Sequence, residues 1–199
     1  MFPRTAIENL SVSRLMIGTN WLLGYSHTSR AKDRHIIESV TADRIADIMA
    51  TSMRVGVDTL YGMRPEPKLV QGVEEAQQRA GQKCITVAIP SLPLGNDAAS
   101  LGEAERILDQ YAALGVGVCM PHQATTDAFV DRKTRSLAGI EPYLAMIRAR
   151  GMIPGLSTHM PETPVYADRT GLDVATYIQI YNAAGFLMQI EVDWVHRMI

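Results

Sequence analysis

Histidines and carboxylates in this chain recur just beyond short apolar runs. His122 follows VGVCMP, His159 follows MIPGLST with Glu162 three residues on, and Glu191 and Asp193 end FLMQIEVD. Asp58 and Tyr61 belong to VDTLYG, Asn20 ends LMIGTN, and His27 lies in the loop after it. Neutral imidazoles and carboxylate oxygens are the ligands that hold a divalent metal. A strand's period of two puts Glu191 and Asp193 on one face, and carboxylates turned inward are costly unless paired or bound to a cation. The expected metal set is His122, His159 and Glu191, with His27 and Asp193 as further candidates, and Asp58 or Glu162 as base. A bound metal would lower the pKa of a water or polarise a carbonyl. The spacing matches no standard metal signature, since HxH, HExxH and CxxC are all absent. Arg64, in YGMRPEP, is placed to meet an anionic substrate group, and Asn20 to bind substrate. His35 and His196 read as structural or surface residues.

Such residues meet only if the fold gathers the ends of the runs. Five times the chain repeats an amphipathic helix, a glycine and a short apolar strand, at Gly56, Gly81, Gly115, Gly151 and Gly185. A glycine at a helix C-terminus takes the left-handed conformation that turns the chain back. Strands alternating with helices through short returns build parallel sheets, whose chemistry collects at the strands' C-terminal ends.

The predicted strands are LMIGTN, VDTLYG, CITVAIP, VGVCMPH, MIPGLSTH and FLMQIEV. The predicted helices are TADRIADIMATSMR, PKLVQGVEEAQQR, LGEAERILDQYAAL, IEPYLAMIRAR and GLDVATYIQIYNAA. WLLGYSHTSRAKDR and MPETPVYADRT read as loops, and QATTDAFVDRKTRSL as a long loop with room for a short helix. No glycine-rich phosphate loop follows the first strand, which favours a barrel over an open doubly wound sheet. The expectation is therefore one α/β domain over residues 1–199, a TIM-type (β/α)8 barrel truncated after its sixth strand. A closed barrel of this kind usually needs about 250 residues.

Net charge −2 leaves no basic surplus, so nucleic acid is not an expected partner. No signal peptide and no membrane-spanning apolar run are read, so a cytoplasmic location and a small-molecule substrate are expected. Cys84 and Cys119 sit inside predicted strands and read as buried thiols.

GVDTLYG, followed by the helix EPKLVQGVEEA, resembles the aldo/keto reductase superfamily. LMIGTNWLLGYSHTS is similar to uncharacterised bacterial TIM-barrel proteins related to it. The superfamily resemblance implies a (β/α)8 barrel reducing carbonyls with NADPH, Tyr61 as proton donor, Asp58 as its partner and His122 near the carbonyl. CITVAIP lacks the catalytic lysine this family carries, and the Asp-to-Tyr spacing is two residues short. Three readings follow, in this order: a metal-assisted barrel enzyme performing hydrolysis, isomerisation or lyase chemistry; a diverged NADPH-dependent reductase; and a non-catalytic ligand-binding barrel.

Overall fold

The structure is a computed structural model and describes residues 2–188. The expected roles of Glu191 and Asp193, and most of the strand expected at FLMQIEV, lie outside these residues. Contacts divide the chain into two compact units. One holds the residues up to Ala88 together with Ala113–Gly117, and the other holds Ile89–Ala112 and the residues from Val118 onward.

The first unit opens with an antiparallel hairpin, β1 (Arg4–Ile7) and β2 (Leu10–Ser13). The first parallel strand is β3 (Ile17–Gly18). The stretch expected as a polar loop forms α1 (Asn20–Leu23) and α2 (Arg30–Ser39), with the Ser29 hydroxyl capping α2 by accepting from Lys32 N–H. α3 (Ala42–Arg54) is capped by Thr41, as its sequence indicates, and buries Ile45, Ala46, Met49, Ala50 and Met53. β4 (Thr59–Met63), α4 (Pro67–Ala80) and β5 (Ile85–Ala88) follow. Pro67 starts α4 where a missing N–H costs nothing.

Helices α3 and α4 pack closely because Gly72 has no side chain. A Cβ there would lie 2.7 Å from Ile45. On the outer side, Arg79 joins Asp43 and Asp47 of α3, each at 2.6 Å, and Glu75 of its own helix at 2.9 Å. The hydrogen bond that Arg79 donates to Asp43 leads the causes that hold its guanidinium above the usual pKa.

The second unit contains α5 (Ala98–Ala113), β6 (Val118–Cys119), α6 (Gln123–Thr126) and a 3-10 turn at Asp127–Phe129. A small hairpin, β7 (Val130–Asp131) and β8 (Ser136–Leu137), precedes α7 (Glu141–Ala149), β9 (Ile153–Thr158), α8 (Glu162–Thr170) and β10 (Thr176–Gln179). The buried core of Leu137, Ile140, Leu144, Leu156 and Ala167 joins β8, α7, β9 and α8. Tyr143 is fully buried, and its hydroxyl lies 2.8 Å from the Pro93 carbonyl and 2.5 Å from that of Gly95, fastening the loop after β5.

The end of this unit corrects the sequence reading. The stretch expected as a loop is α8, the stretch expected as a helix contains β10, and Phe186 and Leu187 lie in a turn. The reason is local. Pro164 sits in the first turn of α8, where backbone N–H groups have no intrahelical partner. Gly171 ends that helix at φ +67. Thr176, Tyr177 and Ile178 are β-branched or aromatic and suit a strand. The fifth helix–glycine–strand phrase thus turns on Gly171, not Gly185.

Parallel strands follow chain order without reversal, β3–β4–β5 in the first unit and β6–β9–β10 in the second. The chain therefore has an α/β fold of the TIM-barrel type, with six parallel strands among the described residues, the sixth being Thr176–Gln179. Among the described residues no helix is long and apolar enough to cross a membrane. Cys119 is fully buried and Cys84 half-buried, and desolvation pushes both thiols up to about 12.

Within β4, Gly62 adopts φ +95 at the point where the register with β5 shifts. Its carbonyl accepts from the buried Thr19 hydroxyl at 3.0 Å, and a Cβ there would fall 2.3 Å from that oxygen. Gly62→Ala should therefore destabilise the protein by about 2–4 kcal/mol, summing left-handed strain and local overpacking. Urea denaturation checks this, and a change below about 1 kcal/mol would contradict it.

Candidate functional site

The second unit builds its polar centre where β9 ends. Thr158, the last residue of β9, is 1% exposed and has one hydroxyl proton to give. It donates to Asp127 Oδ1 in a short hydrogen bond. The Thr158 hydroxyl oxygen itself accepts the Met160 N–H at 2.9 Å and lies 3.0 Å from the Thr163 hydroxyl. The other carboxylate oxygen of Asp127 accepts the His159 N–H at 3.1 Å. A single side chain thus links the strand end, the entry into α8 and the 3-10 turn that carries Asp127.

Burial is the largest influence on Asp127 and raises its pKa above the 3.8 of an unperturbed aspartate. The bonds from Thr158 and His159 and the charge of His159 oppose this, while the charge of Glu162 adds to it. A partly buried carboxyl at a strand end whose proton is held more tightly than usual suits acid–base work. Asp127 was not singled out from the sequence. It lies within QATTDAFVDRKTRSL, and its only signal there is its position in the loop that follows the fourth predicted strand.

Two neighbours extend this centre. Glu162 opens α8, and its Oε1 accepts from Arg132 Nε at 2.8 Å and Nη2 at 2.7 Å. Gln179 stands beside Thr158 in the register of β10 with β9. Its Nε2 donates to the Ile180 carbonyl at 3.3 Å, while its buried Oε1 has no protein partner among the described residues. Buried polar oxygens are rarely left without a donor, so Gln179 marks a place for a donating group.

His122 is held differently from its expected role as a ligand. Its backbone N–H donates to the Pro90 carbonyl at 2.8 Å, and its imidazole Nδ1 accepts the Ala124 N–H at 3.2 Å, capping α6. The loop after β5 is fixed by the same turn, because the Thr125 hydroxyl meets the Leu92 N–H at 3.1 Å and the Leu92 carbonyl at 3.0 Å.

In the first unit, Asn20 and His27 do meet, with Asn20 Nδ2 3.2 Å from His27 Nε2. The amide nitrogen can only donate, so that imidazole nitrogen is the acceptor and is already engaged. Arg64 stacks over the Tyr25 ring at 5.2 Å, which satisfies its face without a ligand. Asp58 does not stand at the C-terminal end of β4. It precedes the first residue of that strand and pairs with Arg4 of β1 at 2.9 Å. Tyr61 lies mid-strand, its carbonyl accepting from Thr19 N–H at 3.1 Å. Asp58 is thus engaged by Arg4 just before β4, while Tyr61 stands within that strand.

Among the described residues no group of three or more His, Cys, Asp and Glu side chains could hold a metal. Glu191 and Asp193, two of the expected ligands, lie outside those residues.

No family model matches this chain, and no curated protein does. Solved structures do align with it. One is the carboxyl transferase domain from Rhizobium etli pyruvate carboxylase with 3-bromopyruvate, 8% identical with a TM-score of 0.47 over 94% of this chain and 39% of that one. The same domain with pyruvate and biocytin gives 10% identity and a TM-score of 0.46, over 92% of this chain and 38% of that one. A third is an HpcH/Hpal aldolase/citrate lyase family protein from Burkholderia cenocepacia J2315, 14% identical with a TM-score of 0.39, over 84% of this chain and 75% of that one. This chain spans about two fifths of the carboxyl transferase chains it aligns with. At these identities and scores the likeness is one of backbone path and assigns no chemistry.

Proposed function

We propose that this protein is a TIM-barrel enzyme that transfers a proton to or from a small polar substrate, with Asp127 as the acid–base group. The observation that carries this reading is the carboxyl of Asp127, partly buried at the C-terminal end of β9, oriented by two hydrogen bonds and raised in pKa. Thr158 and the His159 N–H hold the carboxyl in one orientation, so its proton is exchanged in a fixed direction. Glu162 adds negative charge that keeps the proton on Asp127 to higher pH. Gln179 Oε1 accepts a hydrogen bond from a hydroxyl, amide or amine of the substrate. Positioned acid–base groups of this kind contribute about 10²–10⁴ in rate.

A divalent metal would supply Lewis-acid chemistry, but the described donors do not assemble a site for one.

Proton transfer is detectable without knowing the product. Incubating the protein in D2O with a panel of small oxo, hydroxy and amino acids should show deuterium entering one of them by NMR. Asp127→Asn should slow that exchange by at least about 100-fold while the fold is kept. Exchange that persists in the variant would overturn the role given to Asp127.

Stability carries a second signature. The folded state holds the Asp127 proton more tightly than the unfolded chain does, so ionisation of this group favours unfolding. Its contribution is fully present below 3.8 and is lost as pH rises through the raised folded value. Asp127→Asn removes that dependence. In urea melts the variant should therefore gain on the wild type as pH rises from below 3.8 to neutrality. A gap that stays constant, or widens in the wild type's favour, would show that Asp127 is not raised.

A further inference from the structure

The turn joining β7 to β8 concentrates positive charge beside the site described above. Arg132, Lys133 and Arg135 lie within four residues and are all exposed. The one carboxylate of the hairpin, Asp131, is committed to the turn itself, accepting from the Lys133 N–H at 2.8 Å and the Thr134 N–H at 3.3 Å. Lys133 and Arg135 form no ion pair among the described residues.

Arg132 fastens this turn to the end of β9. Its Nε and Nη2 both address Glu162 Oε1, and Nη2 lies 3.6 Å from the Met160 sulfur. One edge of the guanidinium is therefore held by a carboxylate oxygen. Nη1 has no protein acceptor among the described residues. A guanidinium fixed through Nε and Nη2, with Nη1 left to donate, is prepared to bind a second carboxylate.

Arg135 supplies an independent sign. Its φ is +56, the left-handed position of the turn. Glycine is the usual residue at such a position in a hairpin, because a side chain there is strained. An arginine kept in that conformation brings a cation to the turn at a cost in backbone energy, and such outliers gather at ligand clamps.

We infer that the β7–β8 turn binds a carboxylate group of the substrate, gripped by Arg132 with Lys133 and Arg135 beside it. The inference rests on the proton-transfer reading of Asp127 and narrows its substrate to a small carboxylic acid. The substrate's carboxylate would meet Nη1 of Arg132, whose Nε and Nη2 hold Glu162, while its reacting end lies toward Asp127.

Malonate and inorganic phosphate, titrated at constant ionic strength and followed by calorimetry and amide NMR, test this directly. Malonate should bind saturably and shift the amides of the turn. Arg132→Lys keeps the charge but removes the fork, and should weaken malonate binding about fivefold or more. Arg135→Gly relieves the left-handed strain, so the variant should melt no lower than the wild type yet bind malonate about tenfold more weakly. Unchanged malonate affinity in both variants would overturn the proposal. So would a response that follows ionic strength without saturating, or binding of phosphate alone. Asp127→Asn separates the two readings. Malonate binding retained in that variant, with or without deuterium exchange in the wild type, supports the turn independently of the acid–base assignment. Malonate binding absent from both proteins overturns the turn even if exchange is observed.

Discussion

One hydroxyl proton organises the candidate site. Thr158 can donate only once, and it donates to Asp127. Its lone pairs are then left for the Met160 N–H and the Thr163 hydroxyl. The direction of the whole network follows from that choice. A valine of the same shape would keep the strand but take the Thr158 hydroxyl away from Asp127 Oδ1 and from the Met160 N–H. Buried groups left in that way cost more than an ordinary hydrogen bond contributes. The site's chemistry and the fold's connection from β9 to α8 therefore draw on the same atom.

Asp58 and Asp127 show how position governs the partners of a carboxylate. Both are partly buried, yet Asp58 faces the guanidinium of Arg4, whereas Asp127 faces hydrogen-bond donors and forms no ion pair among the described residues. An ion pair at the start of a strand binds the β1–β2 hairpin to β4 and reads as stability. A carboxyl at the end of a strand, where barrels of this type keep their chemistry, remains able to exchange a proton. The sequence presents Asp58 inside a recognisable phrase, while Asp127 lies in a stretch expected as a loop.

Much of the fold was legible. Thr41 and Pro67 mark helix starts, the apolar stripe of α3 faces inward, CITVAIP and MIPGLSTH each contain the strand expected of them, and VDTLYG holds all but the last residue of its strand. The reading failed between Glu162 and Met188, because Pro164 suggested a loop and the apolar residues of ATYIQIYNAA fit helical spacing as well as alternation. Periodicity alone does not separate the two over so short a run. The hydrogen bonds among Asp127, Thr158 and Thr163 were beyond sequence reasoning, since threonine is common in strands for its shape alone. His122 was noticed for its type, but whether an imidazole nitrogen caps a helix or faces a ligand is decided by local backbone geometry.

The two cysteines carry a practical consequence. With both thiols raised to about 12, the thiolate form at neutral pH is on the order of one part in 10⁵. Maleimides, iodoacetamides and disulfide reagents attack thiolates, so the native chain is nearly silent toward them while folded. A cysteine introduced on an exposed turn would react alone against that background. The protein is thus already suited to carrying a single spin label or fluorophore, with both natural cysteines left in place.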